Sequence, residues 1–142
     1  MGTVTLDSVV ITPLKRIATG SGDVMHGMKS TDSGYAGFGE AYFSWIDHGA
    51  VKAWKKHSRM TMNLLVPVGS VRFVFTLDAS DAFREIVIGE THYSRLSVPP
   101  GIWFGFQGVG ASGNLVLNIA SIGHDPAEVE RLDAGALNFD WD

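Results

Sequence analysis

The sequence predicts an all-β chain, folded as a sandwich or a closed barrel. Three observations carry this: many short strand-like runs, Gly- and Pro-marked turns between them at near-regular intervals, and a single late stretch with a helix-start signature. At 142 residues the chain is expected to be one domain spanning 1–142. That length buries about two-thirds of the unfolded surface.

Residues 9–12 read as the first strand, closed by Pro13. Thr19-Gly20-Ser21-Gly22 is a flexible turn into a second strand over 23–29, and 31–39 is loop. The next run, 40–46, alternates: Glu40, Tyr42 and Ser44 share one face, Ala41, Phe43 and Trp45 the other. The polar face suits a pocket wall, and the apolar face suits a barrel exterior packed on a partner. Asp47-His48-Gly49 turns the chain into 50–57, where strict alternation puts Lys55 and His57 on one face and Lys52, Trp54 and Lys56 on the other.

Two short strands, 64–68 and 71–76, flank Gly69-Ser70, a hairpin signal. After a turn over 77–83, strands at 84–88 and 94–98 surround Gly89-Glu90, and Pro99-Pro100-Gly101 makes a hard turn. Residues 102–108 and 114–119 form the next strand pair. Helix is predicted only over 126–132, with Asp125 as N-cap and Glu128 at the third helical position. The densest cluster of cations and aromatics falls within 49–75. It reads either as a barrel mouth carrying the lysines and His57, or as a basic rim on an ordinary sandwich.

Composition narrows the function. The formal net charge is −4 and no basic block exceeds two consecutive residues, which argues against nucleic acid as a partner. A small anion in a local cationic pocket is compatible with that balance. Without cysteine there is neither a disulfide scaffold nor a thiolate metal site. The first residues lack a signal-peptide pattern, Leu6 stands where myristoylation expects Ser or Thr, and no apolar run reaches membrane-span length. The expectation is a cytoplasmic protein with no membrane partner.

Candidate chemistry is sparse. His26, His48, His57, His92 and His124 include no pair at local metal spacing, and surface or structural roles account for most of them. No P-loop, dinucleotide glycine fingerprint or nucleophile elbow is present. Trp45, Trp54 and Trp103 read as core residues before base stackers.

The order of motifs carries more. GEAYFSWIDHGAVKAW, then RMTMNLLVPVGSVRFVF, VPPGIWFGFQG, HDPAEVERLD and a terminal NFDW resemble the dTDP-4-dehydrorhamnose 3,5-epimerase family over nearly the whole chain. The resemblance implies a cupin-type jelly-roll barrel and a homodimer that exchanges strands. It also implies a deoxythymidine-diphosphate 4-keto sugar as ligand, and no metal or other cofactor. The family's chemistry is proton abstraction beside a ketone and reprotonation from the other face. A histidine oriented by an aspartate is the base, a lysine stabilises the enolate, and a tyrosine is the acid.

Carried over residue by residue, the family's Arg-Gly-Leu-His becomes Lys52-Ala53-Trp54-Lys55. Lys55 thus stands at the base position, and Lys52 keeps the cation that meets the diphosphate, with Arg59 as a second. The orienting aspartate falls on Asp133, the enolate lysine on Met62 and the acid tyrosine on His124. The histidine after the Pro-Pro-Gly turn falls on Phe104, and the N-terminal nucleotide-contacting arginine on Ser21. Glu40 and Ser44 occupy the face with which the family lines its sugar pocket. Metal cupins want His-x-His after the glycine turn, where this chain has Lys55-x-His57, and a histidine where Phe104 stands.

Two readings result. One is an epimerase or isomerase of a nucleotide-linked keto sugar with a rebuilt catalytic set, drawing on Lys55, His57, His124 and Asp133. The other is a non-catalytic module that keeps the nucleotide-sugar pocket. They divide at Lys55, which serves as a base only if burial and the cations Lys52, Lys56 or Arg59 lower its pKa from about 10.4. A carboxylate at Asp133 would keep it charged. His57, two residues on, is the replacement base.

Overall fold

The computed structural model describes residues 3–142. After a short 3₁₀ turn at Leu6–Ser8 come β1 (Val10–Pro13), β2 (Arg16–Ile17), β3 (Val24–Met25), β4 (Glu40–Ile46), β5 (Val51–His57) and β6 (Met62–Val68). β7 (Ser70–Thr76), β8 (Phe83–Gly89), β9 (Ser94–Val98), β10 (Trp103–Gly108), β11 (Asn114–Ala120) and β12 (Val129–Arg131) complete the chain. Two five-stranded antiparallel sheets, ordered β1-β9-β6-β11-β4 and β12-β5-β10-β7-β8, face one another as a jelly roll. A small β2–β3 ribbon stands apart.

Consecutive strands at the glycine turns do not pair as hairpins. β6 and β7 lie in different sheets, as do β8 and β9, and β10 and β11. Gly69 makes the first of these crossings with φ +80°, and a Cβ there would collide with the Asn114 side chain. Asn114, fully buried, ties the crossings together: its Oδ1 accepts from the Ser70 and Gly110 N–H groups, and its Nδ2 donates to the Ile46 carbonyl. A two-residue turn signal cannot distinguish a hairpin from a sheet switch, because only the partner strands decide it.

Alternation holds where the core forms. Met62, Leu64 and Val66 of β6 meet Val71, Phe73 and Phe75 of β7, with Leu96 and Val98 beside them. Phe43 and Trp45 point outward from β4, an edge strand, and are 63% and 59% exposed. Trp45 is therefore not a core residue, in contrast to Trp54 and Trp103.

Two further expectations need correction. The strand expected over 23–29 contracts to β3, since the residues after it leave the ribbon to cover β6 and β9, where Asn63 and Arg95 bond the carbonyls of Gly34 and Gly27. The helix expected over 126–132 is one 3₁₀ turn, Pro126–Glu128, succeeded by β12. Asp125 does cap that turn, its side chain accepting from the Ala127 N–H. But the open edge of β5 captures the next residues, pairing Val129, Glu130 and Arg131 with His57, Lys56 and Lys55. The chain end then folds over the outer face of the second sheet, where Leu137, Phe139 and Trp141 pack on Trp54, Val74 and Trp103. Among the described residues no helix is long and apolar enough to cross a membrane.

Candidate active site

The two sheets splay apart between β4 and β11 on one side and β5, β10 and β12 on the other. The opening is a cavity of about 690 Å³, the size of ordinary small-ligand sites. Its floor is apolar, from Met62, Leu64, Phe104, Phe106 and Val116, and its polar groups are Tyr42, Ser44, Lys52, Lys55, Asn118, Arg131 and Asp133. A smaller chamber of about 240 Å³ shares Tyr42, Lys55 and Arg131 with it and adds Glu40, His57 and His124.

The β5 strand supplies the cations through a bulge. β10 pairs with it at Phe104–Lys55 and then at Gly105–Ala53, so one residue of β5 is extra. The slip puts Ala53 and Trp54 both outward and returns Lys52 to the inner face opposite Phe106. Strict alternation placed Lys52 with Trp54 and Lys56, and the bulge overturns that. Gly105 makes it fit, since a Cβ there would crowd Ala53 and Trp141.

His57 is the best-supported group in the site. It is 7% exposed, stacks on Phe104 with ring centroids 6.0 Å apart, and its Nδ1 lies 2.5 Å from Glu128 Oε1. Glu128, also buried, accepts at Oε2 from the N–H groups of Ser58, Arg59 and Met60. Burial pushes its pKa up, but the bonds from His57 and from the Arg59 and Met60 N–H groups outweigh burial and hold it below the ordinary value. An ionised carboxylate only accepts, so Nδ1 carries the proton. In a neutral ring that leaves Nε2 as the basic nitrogen, and nothing among the described residues bonds it.

Lys55 is half-buried between the chambers. Burial, then the charges of Arg131 and Lys52, hold its pKa below the usual lysine value. Two of those causes were legible as residue types, but Arg131 replaces the expected Lys56 and Arg59. Lys56 points outward to Asp78 and Glu130, and Arg59 bonds Asp125 at 2.7 Å on the surface, away from both chambers. Asp133 lines the larger chamber but bonds neither Lys55 nor His57 among the described residues. The carboxylate that bonds His57 is Glu128.

The other expected residues divide between the chambers. Ser44 and Lys52 line the larger one, Lys52 donating to the Trp45 carbonyl at 2.8 Å. Glu40 and His124 line the smaller, with His124 exposed at its mouth. Ser21 sits in the β2–β3 turn and borders neither. Sequence reasoning assigns no functional role to Asn118, Arg131 or Glu128, and puts Tyr42 on the pocket-facing side of 40–46 without assigning it one. Tyr42 was visible on the polar face of β4, whereas Glu128 and Arg131 were hidden behind the helix reading. Among the described residues no cluster of three or more His, Asp or Glu is placed to hold a metal ion.

Comparison with solved structures gives this arrangement its context. The chain is similar to a dTDP sugar isomerase from Desulfovibrio desulfuricans G20, at 32% identity over 95% of this chain and 91% of that one, with a TM-score of 0.89. It shares its fold with QdtA, a sugar 3,4-ketoisomerase from Thermoanaerobacterium thermosaccharolyticum solved with TDP, at 18% identity, 90% of each chain and a TM-score of 0.77. The same holds for NovW, a 4-keto-6-deoxy sugar epimerase from the novobiocin gene cluster of Streptomyces spheroides, at 14% identity, 98% of this chain, 77% of that one and a TM-score of 0.81. No family model and no curated protein matches the chain.

Proposed function

The chain is a divergent member of the dTDP-4-dehydrorhamnose 3,5-epimerase-like family of dTDP-sugar isomerases and epimerases, and from that premise we propose that it moves a proton beside the ketone of a dTDP-linked 4-keto-6-deoxy sugar. The buried His57–Glu128 pair opening on a cationic cavity carries the proposal. A pocket built only to bind has no use for an imidazole tied to a buried, ionised carboxylate.

The 4-keto group acidifies the neighbouring C3 and C5 protons. His57 Nε2 takes one of them, and Glu128 steadies the imidazolium that forms. Lys52 and Arg131 hold the diphosphate, Ser44 and Glu40 the sugar, and Lys55 faces the ketone. Tyr42 stands on the opposite sheet, where its oxygen accepts from Asn118 Nδ2 at 3.1 Å. Its own proton is therefore free for the substrate, which makes it, with His124, the acid that returns a proton. Return to the same carbon from the far side inverts the centre, and return to C4 shifts the ketone.

Dissolving dTDP-4-keto-6-deoxyglucose in deuterium oxide with the protein tests this. Deuterium incorporation at C3 or C5, read by NMR, is expected. Binding with no exchange at either carbon would leave only the non-catalytic module.

The site is completed, in this proposal, by a homodimer. Phe38, Phe43 and Trp45 form an exposed aromatic group on and beside the open edge of the first sheet. Sedimentation is expected to show a species of twice 15.3 kDa, and a monomer alone at working concentration would reject the pairing. A nucleotide-sugar substrate is the reason to expect the protein in the cytoplasm, which cell fractionation checks.

A further inference from the structure

We propose that Lys55 is a covalent catalyst, its Nζ condensing with the substrate ketone to an iminium; this rests on the reading above that a 4-keto sugar occupies the chamber. The β5 strand carries three lysines, and their surroundings separate them. Lys52 donates to the Trp45 carbonyl, and Lys56 reaches two carboxylates, Asp78 and Glu130. Lys55 has neither a hydrogen bond nor a carboxylate partner among the described residues, although Asp133 and Glu40 border the chambers it lines.

The surroundings of Lys55 disfavour an ammonium. Phe104 lies opposite it in the ladder on one side and Arg131 on the other, with Lys52 along the strand. Lys56 on the outer face has two carboxylates beside it, and Lys55 has two cations. A half-buried amine ringed by an aromatic side chain and two cations is instead the environment that makes lysine a nucleophile toward carbonyl carbon. The lowered pKa of Lys55 agrees with this geometry.

The chemistry closes without an external oxidant or reductant. The neutral amine attacks the ketone carbon, the carbonyl π electrons move to oxygen, and one proton passes from the newly formed ammonium nitrogen to that oxygen to give a neutral carbinolamine. Further protonation expels that oxygen as water and leaves the iminium. The cationic nitrogen then draws electrons from the adjacent C–H bond as His57 Nε2 takes the proton, giving an enamine. Reprotonation at carbon restores the iminium, and addition of water returns amine and ketone. No enolate oxyanion develops on this route. That accounts for the apolar Met62 at the position where the family resemblance puts the enolate-stabilising lysine.

The test is reductive trapping. The full-length protein is incubated with dTDP-4-keto-6-deoxyglucose and sodium cyanoborohydride, then mapped by mass spectrometry. One stable adduct per chain on Lys55 is expected. Lys55→Arg, which keeps the charge but cannot lose its proton, should lose both the adduct and deuterium exchange while still binding dTDP by calorimetry. Exchange in the wild type without an adduct, equal labelling of Lys52 and Lys56, or exchange surviving in Lys55→Arg would each overturn covalent catalysis and leave the proton-transfer reading intact. Absence of both exchange and adduct would overturn the two together.

Discussion

Lys55 and Lys56 are neighbours in sequence, both half-buried, and opposite in the face they take and the partners they meet. Lys55 faces the cavity, unpaired among the described residues, its pKa held down by burial and two cations. Lys56 faces out, bonded to Asp78 and Glu130 and lying 5.2 Å from the Trp103 ring centroid, and the Asp78 bond first among these raises its pKa. The indole N–H of Trp103 also donates to Asp78, which is held below the ordinary carboxylate value by Lys56 and then Trp103. One strand thus carries a cavity-lining face and an ion-paired outer face a single residue apart. Side-chain type does not distinguish them; the partner set does.

The sharpest way to break that contrast is to remove the carboxylate that bonds His57 on the inner face. Glu128→Gln leaves His57 without its charged partner, and deuterium exchange should fall about 10²–10⁴-fold. The pH dependence should change as well. The folded pKa of Glu128 is depressed, so the stability it supplies is present above its unfolded value and is lost as pH falls through the folded one. Wild type should lose stability in acid urea titrations below about pH 4.3. The variant should be weaker at neutral pH and flatter over that window.

A second test sets the two lysines against each other directly. Between its folded pKa and the ordinary value, Lys55 holds fewer protons in the folded chain than in the unfolded one. The cost of burying its charge is therefore full at lower pH and relieved as pH rises through that window. For Lys56 the sign reverses, and its stabilisation persists until pH climbs through a raised folded pKa. Competitive acylation and peptide mapping should label Lys55 at lower pH than Lys56, and the opposite order would dissolve the contrast.

The smallest effect belongs to the outer face. Lys56→Ala removes surface ion pairs, so unfolding should be easier by about 0.2–1 kcal/mol, read from urea midpoints. Exchange activity should stay within a few-fold of wild type. A hundredfold loss there would mean the two faces are not separate.

Much of this is readable in the residues alone. Alternation in 40–46 located the cavity wall at Tyr42 and Ser44 and the outward aromatics Phe43 and Trp45, because an edge strand with one solvated face obeys a period of two. The motif order gave the jelly roll. Alternation failed at Trp54, where the extra residue in β5 moved Lys52 across the sheet. It failed because a bulge is specified by the partner strand, here through Gly105, and leaves no mark of its own in β5. Glu128 was misread for a related reason. Asp125 and Pro126 are true helix-start signals, but they act over one turn, and beyond that turn the unfilled edge of β5 sets the conformation. The partner of His57 thus came from a segment whose local grammar pointed elsewhere.

The bulge also sets a length. Without it, inner-face residues of β5 would recur every second position, about 7 Å apart. With it, Lys52 and Lys55 share a wall at a three-residue interval, at most about 10 Å along the strand. They act as two fixed marks on a ruler. Under the proposed roles of Lys52 and Lys55, a ligand that reaches both carries its diphosphate and its carbonyl at that separation. On that reading a free keto sugar would meet one mark, and a free nucleotide the other. Selection by span, written into the backbone by one surplus residue, needs no change in any side chain that touches the ligand.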